Sequence, residues 1–164
     1  MAKTIEAPKE IYSPQVRNSI KLFLAGGITN CPDWQSYVIG ELSDIPNLTI
    51  YNPRRKEMKM SDRAVLEQQI TWEFQHLETA DVVLFWFSGG SLNPITLYEL
   101  GMWGNSMDRP MIIGCDPAYE RKDDVEIQTL LARPGTIVYD SISDMIIELT
   151  SILEEVNAKN NDDI

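Results

Sequence analysis

Apolar runs alternate with helix-like segments along most of the chain. Five runs have the continuous apolar character of buried strands: "IKLFLAG" (20–26), "LTIYN" (48–52), "DVVLFWF" (81–87), "PMIIGC" (110–115) and "TIVY" (136–139). Helices are predicted at about 33–44, 62–79, around Glu99, 123–131 and 141–155. Strands buried on both sides and separated by helices are typical of parallel sheets. The pattern predicts an α/β fold, a doubly wound five-stranded parallel sheet with helices on both faces in a three-layer sandwich.

The two ends of the chain lack this pattern. Residues 1–18 carry two prolines and no clean periodicity, which predicts an irregular N-terminal arm, and residues 157–164 predict a polar tail. Residues 19–156 are expected to form a single domain, because 164 residues suffice for one sizeable core and are few for two.

Charge and cysteine content narrow the function classes. A formal net charge of -11 argues against a general DNA or RNA binder, since it repels phosphate backbones. No apolar run reaches the roughly 18 residues of a membrane span. Cys31 and Cys115 have neither metal-ligand spacing nor a nearby signal peptide, so reduced thiols in a cytoplasmic protein are predicted. His76, the only histidine, has no local partners for a metal site or a triad, and no cofactor or metal is expected.

A ligand site is predicted beyond the carboxyl ends of the strands, where the strand order of a doubly wound sheet reverses. That edge receives "AGGITN", "NPRR" and "SGGSLNP". Gly26 and Gly27 allow backbone to approach a ligand closely, although a bare tight turn explains them equally well. Arg54 and Arg55 can contact a phosphate there, and solvated surface arginines are the alternative.

Glu99 has an unusual local sequence. Its neighbours at helical spacing are Ile95, Thr96, Met102 and Trp103, none of them basic. The positive end of the helix macrodipole favours an ionised carboxylate in this second turn, and such a group suits nucleophilic attack. The alternative is a stem that covers apolar surface while the carboxylate reaches water.

Three further residues are candidates with structural alternatives. Glu73 is a second acid in an apolar helix, and a surface Glu/His pair with His76 is the alternative. Asn93 before Pro94 fits a helix N-cap. Trp34 can stack on a flat ring if the first loop exposes it, and core packing is its alternative.

The order of these motifs resembles a known family. "LFLAGGIT", "QITWE", "LETADVVLFWF" and "NPITLYELG" resemble the nucleoside 2-deoxyribosyltransferase-like family and the related deoxynucleoside 5'-monophosphate N-glycosidases, over residues 20 to about 115. The resemblance implies that Glu99 attacks the anomeric carbon, that Glu73 works near the base and that Asn93 lies near the sugar. Phe23 stands where the family often has a tyrosine beside the nucleophile.

The resemblance implies a function and leaves alternatives open. The chain is expected to cleave or transfer the N-glycosidic bond of (deoxy)nucleosides through a covalent glycosyl-glutamate intermediate, as a homo-oligomer acting on a small nucleoside or nucleotide. Gly27 and Thr29 stand where the nucleotide hydrolases carry Ser and Arg, which slightly favours a free nucleoside. A nucleoside 5'-monophosphate hydrolase and a non-catalytic nucleotide-binding sensor are the alternatives.

Overall fold

A computed structural model describes residues 1–56 and 62–162. The strands are β1 (Lys3–Glu6), β2 (Ile20–Gly26), β3 (Leu48–Asn52), β4 (Val82–Phe87), β5 (Met111–Cys115) and β6 (Val138–Tyr139). The helices are α1 (Pro14–Arg17), α2 (Trp34–Glu41), α3 (Arg63–Thr79), α4 (Pro94–Trp103), α5 (Lys122–Ala132) and α6 (Ile142–Asp162).

All strands are parallel, in the order β1-β3-β2-β4-β5-β6. Every residue of β3, β4 and β5 is buried, as expected for strands covered on both faces. The predicted α/β class and the parallel, doubly wound sheet are confirmed, but the predicted number of strands is wrong, because the sheet has six.

The sixth strand comes from the segment predicted to be irregular. Residues Lys3–Glu6 form β1, which pairs with β3 from Lys3 opposite Thr49 to Glu6 opposite Asn52. No continuous apolar run marks this strand in the sequence, because it is a short edge strand in which only Ile5 is fully buried. Residues Pro14–Arg17 add a single helical turn, with Ser13 as its N-cap.

The last helix continues into the predicted polar tail. Helix α6 extends to Asp162, although between Leu153 and residue 158 no further residue is fully buried. Adding a residue to an existing helix needs no buried face, since each one adds a backbone hydrogen bond. No helix in the described part of the chain is long and apolar enough to cross a membrane.

Two apolar cores lie on the two faces of the sheet. Helices α3, α4 and α5 pack on one face, around Phe23, Phe85 and Trp72. Helices α2 and α6 pack on the other, around Leu24 and Leu84. Because β2 connects to β3 on one side and β4 connects to β5 on the other, the strand order reverses between β2 and β4. The loops after these two strands therefore meet at the predicted ligand edge.

Candidate active site

The loop after β2 packs against its neighbours so closely that only glycine fits. A Cβ atom on Gly27 would overlap Asn93 Oδ1 and Cys31 Sγ. A Cβ atom on Gly26 would lie 2.5 Å from the Trp34 ring. The two glycines therefore set how closely this loop approaches the loop after β4.

Asn93 links the two loops across the reversal point. It adopts a left-handed backbone conformation, with φ 45°, and only 4% of its surface is exposed. Its side-chain amide donates to the carbonyls of Ser88 at 3.1 Å and Ser91 at 3.0 Å, while its Oδ1 accepts from Cys31 Sγ at 3.3 Å. Asn93 occupies the predicted N-cap position before Pro94, but its side chain forms no capping hydrogen bond. It holds the loops together instead.

Glu99 lies half-buried in the second turn of α4. Burial raises the pKa of its carboxyl to about 8, and the negative charge of Glu73 is the second cause. No ion pair with Glu99 occurs within residues 1–56 and 62–158, so nothing there offsets the loss of solvation. Desolvation therefore outweighs the positive end of the helix macrodipole, which by itself favours an ionised carboxylate at this position.

Glu73 lies half-buried on α3, and its charge acts on Glu99. Burial raises the pKa of Glu73 too, against the opposing effect of a hydrogen bond from Gln69 Nε2 to its Oε1 at 2.8 Å. The structure thus brings together the two acids that the sequence singled out. Because the pKa of Glu99 is raised to about 8, this pair of acids retains a proton near neutral pH.

Such a pair has the ingredients of acid–base and nucleophilic chemistry. One member can be ionised while the other is protonated, so a nucleophile and a proton donor are available at one site. The same arrangement serves glycoside cleavage, where one carboxylate captures the sugar and the other protonates the leaving group.

Two predicted binding residues are buried in the cores. Trp34 is 3% exposed; its indole Nε1 donates to the Gly27 carbonyl at 3.1 Å. It cannot stack on a ligand, so that prediction is wrong, and core packing is the observed alternative. Phe23 is fully buried within β2 and lies 6.3 Å from the Trp72 ring. It contributes no exposed surface for a substrate.

Arg54 is engaged by the loop after β2. Its Nε donates to Gln35 Oε1 at 2.9 Å, its guanidinium donates to the Pro32 carbonyl at 2.8 Å, and Asp33 lies 3.2 Å away. These contacts fasten the loop and occupy the guanidinium. Among the described residues, the contact of Arg55 is a long hydrogen bond to Gln68 at 3.4 Å.

His76 lies in the core beside Trp72. The two rings stack with centroids 4.0 Å apart, and His76 Nδ1 bonds to the Trp72 carbonyl at 2.8 Å. Its Nε2 lies 3.5 Å from Glu10 rather than beside Glu73, so the predicted alternative of a Glu73/His76 pair is not observed. Among the described residues no group of three or more His, Cys, Asp or Glu side chains is arranged to hold a metal ion.

Three residues that the sequence analysis did not select support the site. Gln35 bonds to both Gly27 and Arg54, Cys31 bonds to Asn93, and Gln69 bonds to Glu73. Gln69 had a detectable signal, since it lies four residues before Glu73 on the same helix face. The contacts of Gln35 and Cys31 join segments that are distant in sequence, so a local sequence pattern cannot predict them.

A separate groove of about 250 Å³ lies between α4 and α5. Leu97, Leu100 and Gly101 line it from α4, on the side of the helix opposite Glu99. Neither candidate acid lines this groove, so its size does not identify the reaction site. The candidate site is instead formed by the two acids and the loops of the reversal point.

Comparison with known protein families identifies a related family. A family model described as nucleoside 2-deoxyribosyltransferase like matches residues 19–119, more than half of the chain. The matched segment contains both acids and both loops of the candidate site. No curated protein sequence matches the chain.

Proposed function

Because this chain belongs to the nucleoside 2-deoxyribosyltransferase-like family, we propose that it cleaves or transfers the N-glycosidic bond of (deoxy)nucleosides, with Glu99 as the nucleophile. The family supports a nucleoside deoxyribosyltransferase-like function acting on a small nucleoside or nucleotide. Our proposal goes beyond the family in two respects: the covalent intermediate and the roles of individual residues.

The observation that carries the proposal is the pairing of Glu99 with Glu73. Two half-buried carboxyls lie on separate helices, burial raises the pKa of both, and the charge of Glu73 raises the pKa of Glu99 further. Packing alone does not require two acids there, and leaving them partly desolvated is costly. Functional sites are where such pairs concentrate.

The proposed first step makes one bond to the sugar and breaks one. The reacting form has the proton of the pair on Glu73, to which Glu99 has passed it, and Glu99 is ionised. A carboxylate oxygen of Glu99 bonds to C1' as the C1'–N bond breaks and its electron pair moves to the base nitrogen. Glu73 transfers its proton to the base, which departs neutral, and Glu73 becomes ionised. The oxocarbenium-like transition state is stabilised by the adjacent negative charge of Glu99.

The second step regenerates the enzyme. A second base that attacks C1' gives a new nucleoside, whereas water gives the free sugar. In either case Glu73 accepts the proton of the attacking group, and Glu99 leaves as a carboxylate. A transferase and a hydrolase therefore share the same two residues and differ in what reaches the intermediate.

The engagement of Arg54 favours an uncharged substrate. Its guanidinium is already bonded to Gln35 and to the Pro32 carbonyl, so a 5'-phosphate would have to displace these contacts. This supports a free deoxynucleoside over its monophosphate.

A neighbouring copy of the chain is proposed to cover the site. Ile95, Tyr98 and Met102 flank Glu99 on α4, and Ile70 and Phe74 flank Glu73 on α3, all with exposed side chains. Exposed apolar groups beside two desolvated acids leave the pocket open on one side. A homo-oligomer would close it and exclude water.

The test is to trap and identify the intermediate. The protein is incubated with 2'-deoxynucleosides, quenched in acid and digested, and its peptides are analysed by mass spectrometry. A deoxyribosyl adduct on Glu99 is expected, and Glu99→Gln should show none. A panel with and without a second free base separates outcomes: a new nucleoside means transfer, and free sugar means hydrolysis. Binding without adduct or turnover would contradict the enzyme and favour the sensor.

A further inference from the structure

Gln69 lies one helical turn before Glu73 and is only 2% exposed. Its Nε2 donates two hydrogen bonds, to the Pro53 carbonyl at 2.8 Å and to Glu73 Oε1 at 2.8 Å. The amide thus bridges the loop after β3 and the acid on α3. A buried side chain held at both hydrogens has little freedom to turn.

The backbone fixes which end of the amide faces the acid. A carbonyl oxygen can only accept, so Pro53 requires the nitrogen of Gln69 and not its oxygen. Rotating the amide would set its oxygen against the Pro53 carbonyl and lose both bonds. Gln69 therefore presents a donor to Glu73 in every state in which Pro53 remains paired.

We propose that Gln69 is a positioning residue for Glu73, the proton donor. This proposal rests on the proposed function. It occupies Oε1 of Glu73 and so leaves Oε2 as the oxygen that carries the proton to the departing base. An oxygen that accepts an N–H bond in the carboxylate plane is the poorer site for a proton, and the opposite oxygen becomes the better one. The bond also holds the plane of the carboxyl group.

The proton transfer then has one defined route. The Oε2–H bond of Glu73 breaks, an N–H bond forms on the base, and the electron pair of the C1'–N bond neutralises the accepting nitrogen. After the step Glu73 is a carboxylate, and Gln69 stabilises that charge with the same hydrogen bond. Gln69 therefore helps most when the base leaves only with a proton.

The surroundings of the pair contain few competing charges. Besides burial, Gln69 is the group that alters the pKa of Glu73, and Glu73 is the charge that alters the pKa of Glu99. Neither acid forms an ion pair in the described part of the chain. Removing the Gln69 donor should therefore act on Glu73 without rearranging other charges.

The test compares Gln69→Met with Gln75→Met. Methionine keeps the length, the flexibility and much of the helix propensity of glutamine and lacks its donor. Gln75 is exposed on the same helix, so its variant is the matched control. Gln69→Leu is the second variant: it fills a similar volume, has a high helix propensity and has no hydrogen-bond donor.

Two substrates distinguish a loss of Glu73 positioning from a nonspecific loss of activity. A deoxynucleoside with an ordinary base needs a proton on departure, whereas a 7-methylpurine deoxynucleoside, already cationic, does not. Gln69→Met should lower kcat about 10- to 100-fold on the first and less than about threefold on the second, with KM little changed. Equal losses on both substrates would overturn the proposal.

The pH profile gives a second readout that a purely structural role would not move. Losing a donor to the ionised form of Glu73 raises its pKa, so the alkaline limb of kcat/KM should move up by about one pH unit. Gln75→Met should leave the limb in place.

A titration of the protein itself separates this inference from the proposed function. Carboxyl carbon NMR of ¹³C-labelled Glu73, assigned with Glu73→Gln, needs no turnover. An upward shift in Gln69→Met and Gln69→Leu but not in Gln75→Met is expected. An unchanged Glu73 titration would overturn the role of Gln69 even in an active enzyme. The expected shift in a protein without turnover would instead show that the proposed function is wrong.

Discussion

At the scale of single residues, Glu99 illustrates how desolvation decides a charge state. A position near the start of a helix favours an anion by a few tenths to about 1 kcal/mol, and burial of the carboxyl works in the opposite direction. The pKa of about 8 shows that burial is the larger effect. Glu99, the proposed nucleophile, is therefore mostly protonated at neutral pH before substrate binds, and a developing positive charge on the sugar would favour its ionisation.

The first prediction concerns Glu99→Gln. The amide has nearly the same shape and cannot form a stable ester with C1', so kcat should fall by more than about 10⁴-fold while the fold is retained. The measurement is base release by chromatography, with circular dichroism as the check on folding. Turnover within tenfold of the wild type would contradict the nucleophile assignment.

The second prediction follows from the raised pKa of Glu99. Between the ordinary value of 4.5 and about 8, the folded protein keeps a proton that the unfolded chain has released. The free energy of unfolding should therefore fall as the pH rises through this window, and Glu99→Gln should remove that part of the slope. Urea unfolding of both proteins from pH 4.5 to 9 measures it. Parallel curves would show that Glu99 titrates normally.

At the scale of elements, the site depends on two loops that meet at the reversal of strand order. Asn93 bonds to its own loop and to Cys31 of the other, and Gly27 leaves the room that these contacts occupy. The left-handed conformation of Asn93 is one that asparagine tolerates better than most residues. The geometry of the site is thus set by the fit between loops rather than by either loop alone.

The third prediction compares alanine substitutions at two glycines, which should change stability in opposite directions. In Gly27→Ala the new Cβ would overlap Asn93 Oδ1, so the loops must separate, and both stability and turnover should fall, stability by about 1–3 kcal/mol. In Gly40→Ala, on α2, the Cβ has nothing within 4 Å, and stability should rise by about 0.5–1 kcal/mol. Thermal unfolding and kcat measure both. A neutral Gly27→Ala would show that the close approach is not required.

At the scale of the whole molecule, net charge affects which ligands the protein attracts, and exposed apolar surface affects whether it associates with other copies. A charge of -11 repels anions at long range and is screened by salt. The exposed apolar side chains of α3 and α4 lie next to the candidate acids, where an association surface would affect the reaction.

The fourth prediction concerns the substrate. An uncharged deoxynucleoside should have a kcat/KM about three- to tenfold higher than its 5'-monophosphate at low salt, and the difference should shrink as ionic strength rises. Steady-state kinetics at two salt concentrations test it. Faster turnover of the monophosphate, lost in Arg55→Gln, would instead assign the phosphate contact to Arg55.

The fifth prediction concerns assembly. Light scattering coupled to size exclusion should give a multiple of 18.7 kDa, because burying the apolar side chains beside the acids favours association. Tyr98→Glu should weaken the assembly and lower turnover, since Tyr98 is 68% exposed next to Glu99. Tyr12→Glu, at a 91% exposed position elsewhere, is the matched control. A monomer that turns over substrate at full rate would contradict a shared site.

Periodicity made much of the fold predictable. Strands buried on both faces require continuous apolar runs in the sequence. The five strands inferred from such runs are all present. The short β1 could not be found in this way, because its stability comes from pairing with β3 rather than from its own pattern. Helix α6 continues beyond its predicted end for a related reason: residues 154–158 are exposed or half-buried, so no apolar pattern marks this part of the helix.

The sequence by itself determined the α/β class, the family and the two acids, since each depends on local order and spacing along the chain. Only the tertiary structure decided the raised pKa of Glu99, the burial of Trp34 and the engagement of Arg54. These properties depend on which groups from distant segments exclude water or supply a hydrogen bond. Solvation and pairing belong to the folded environment of a residue, and its immediate neighbours in sequence do not fix them.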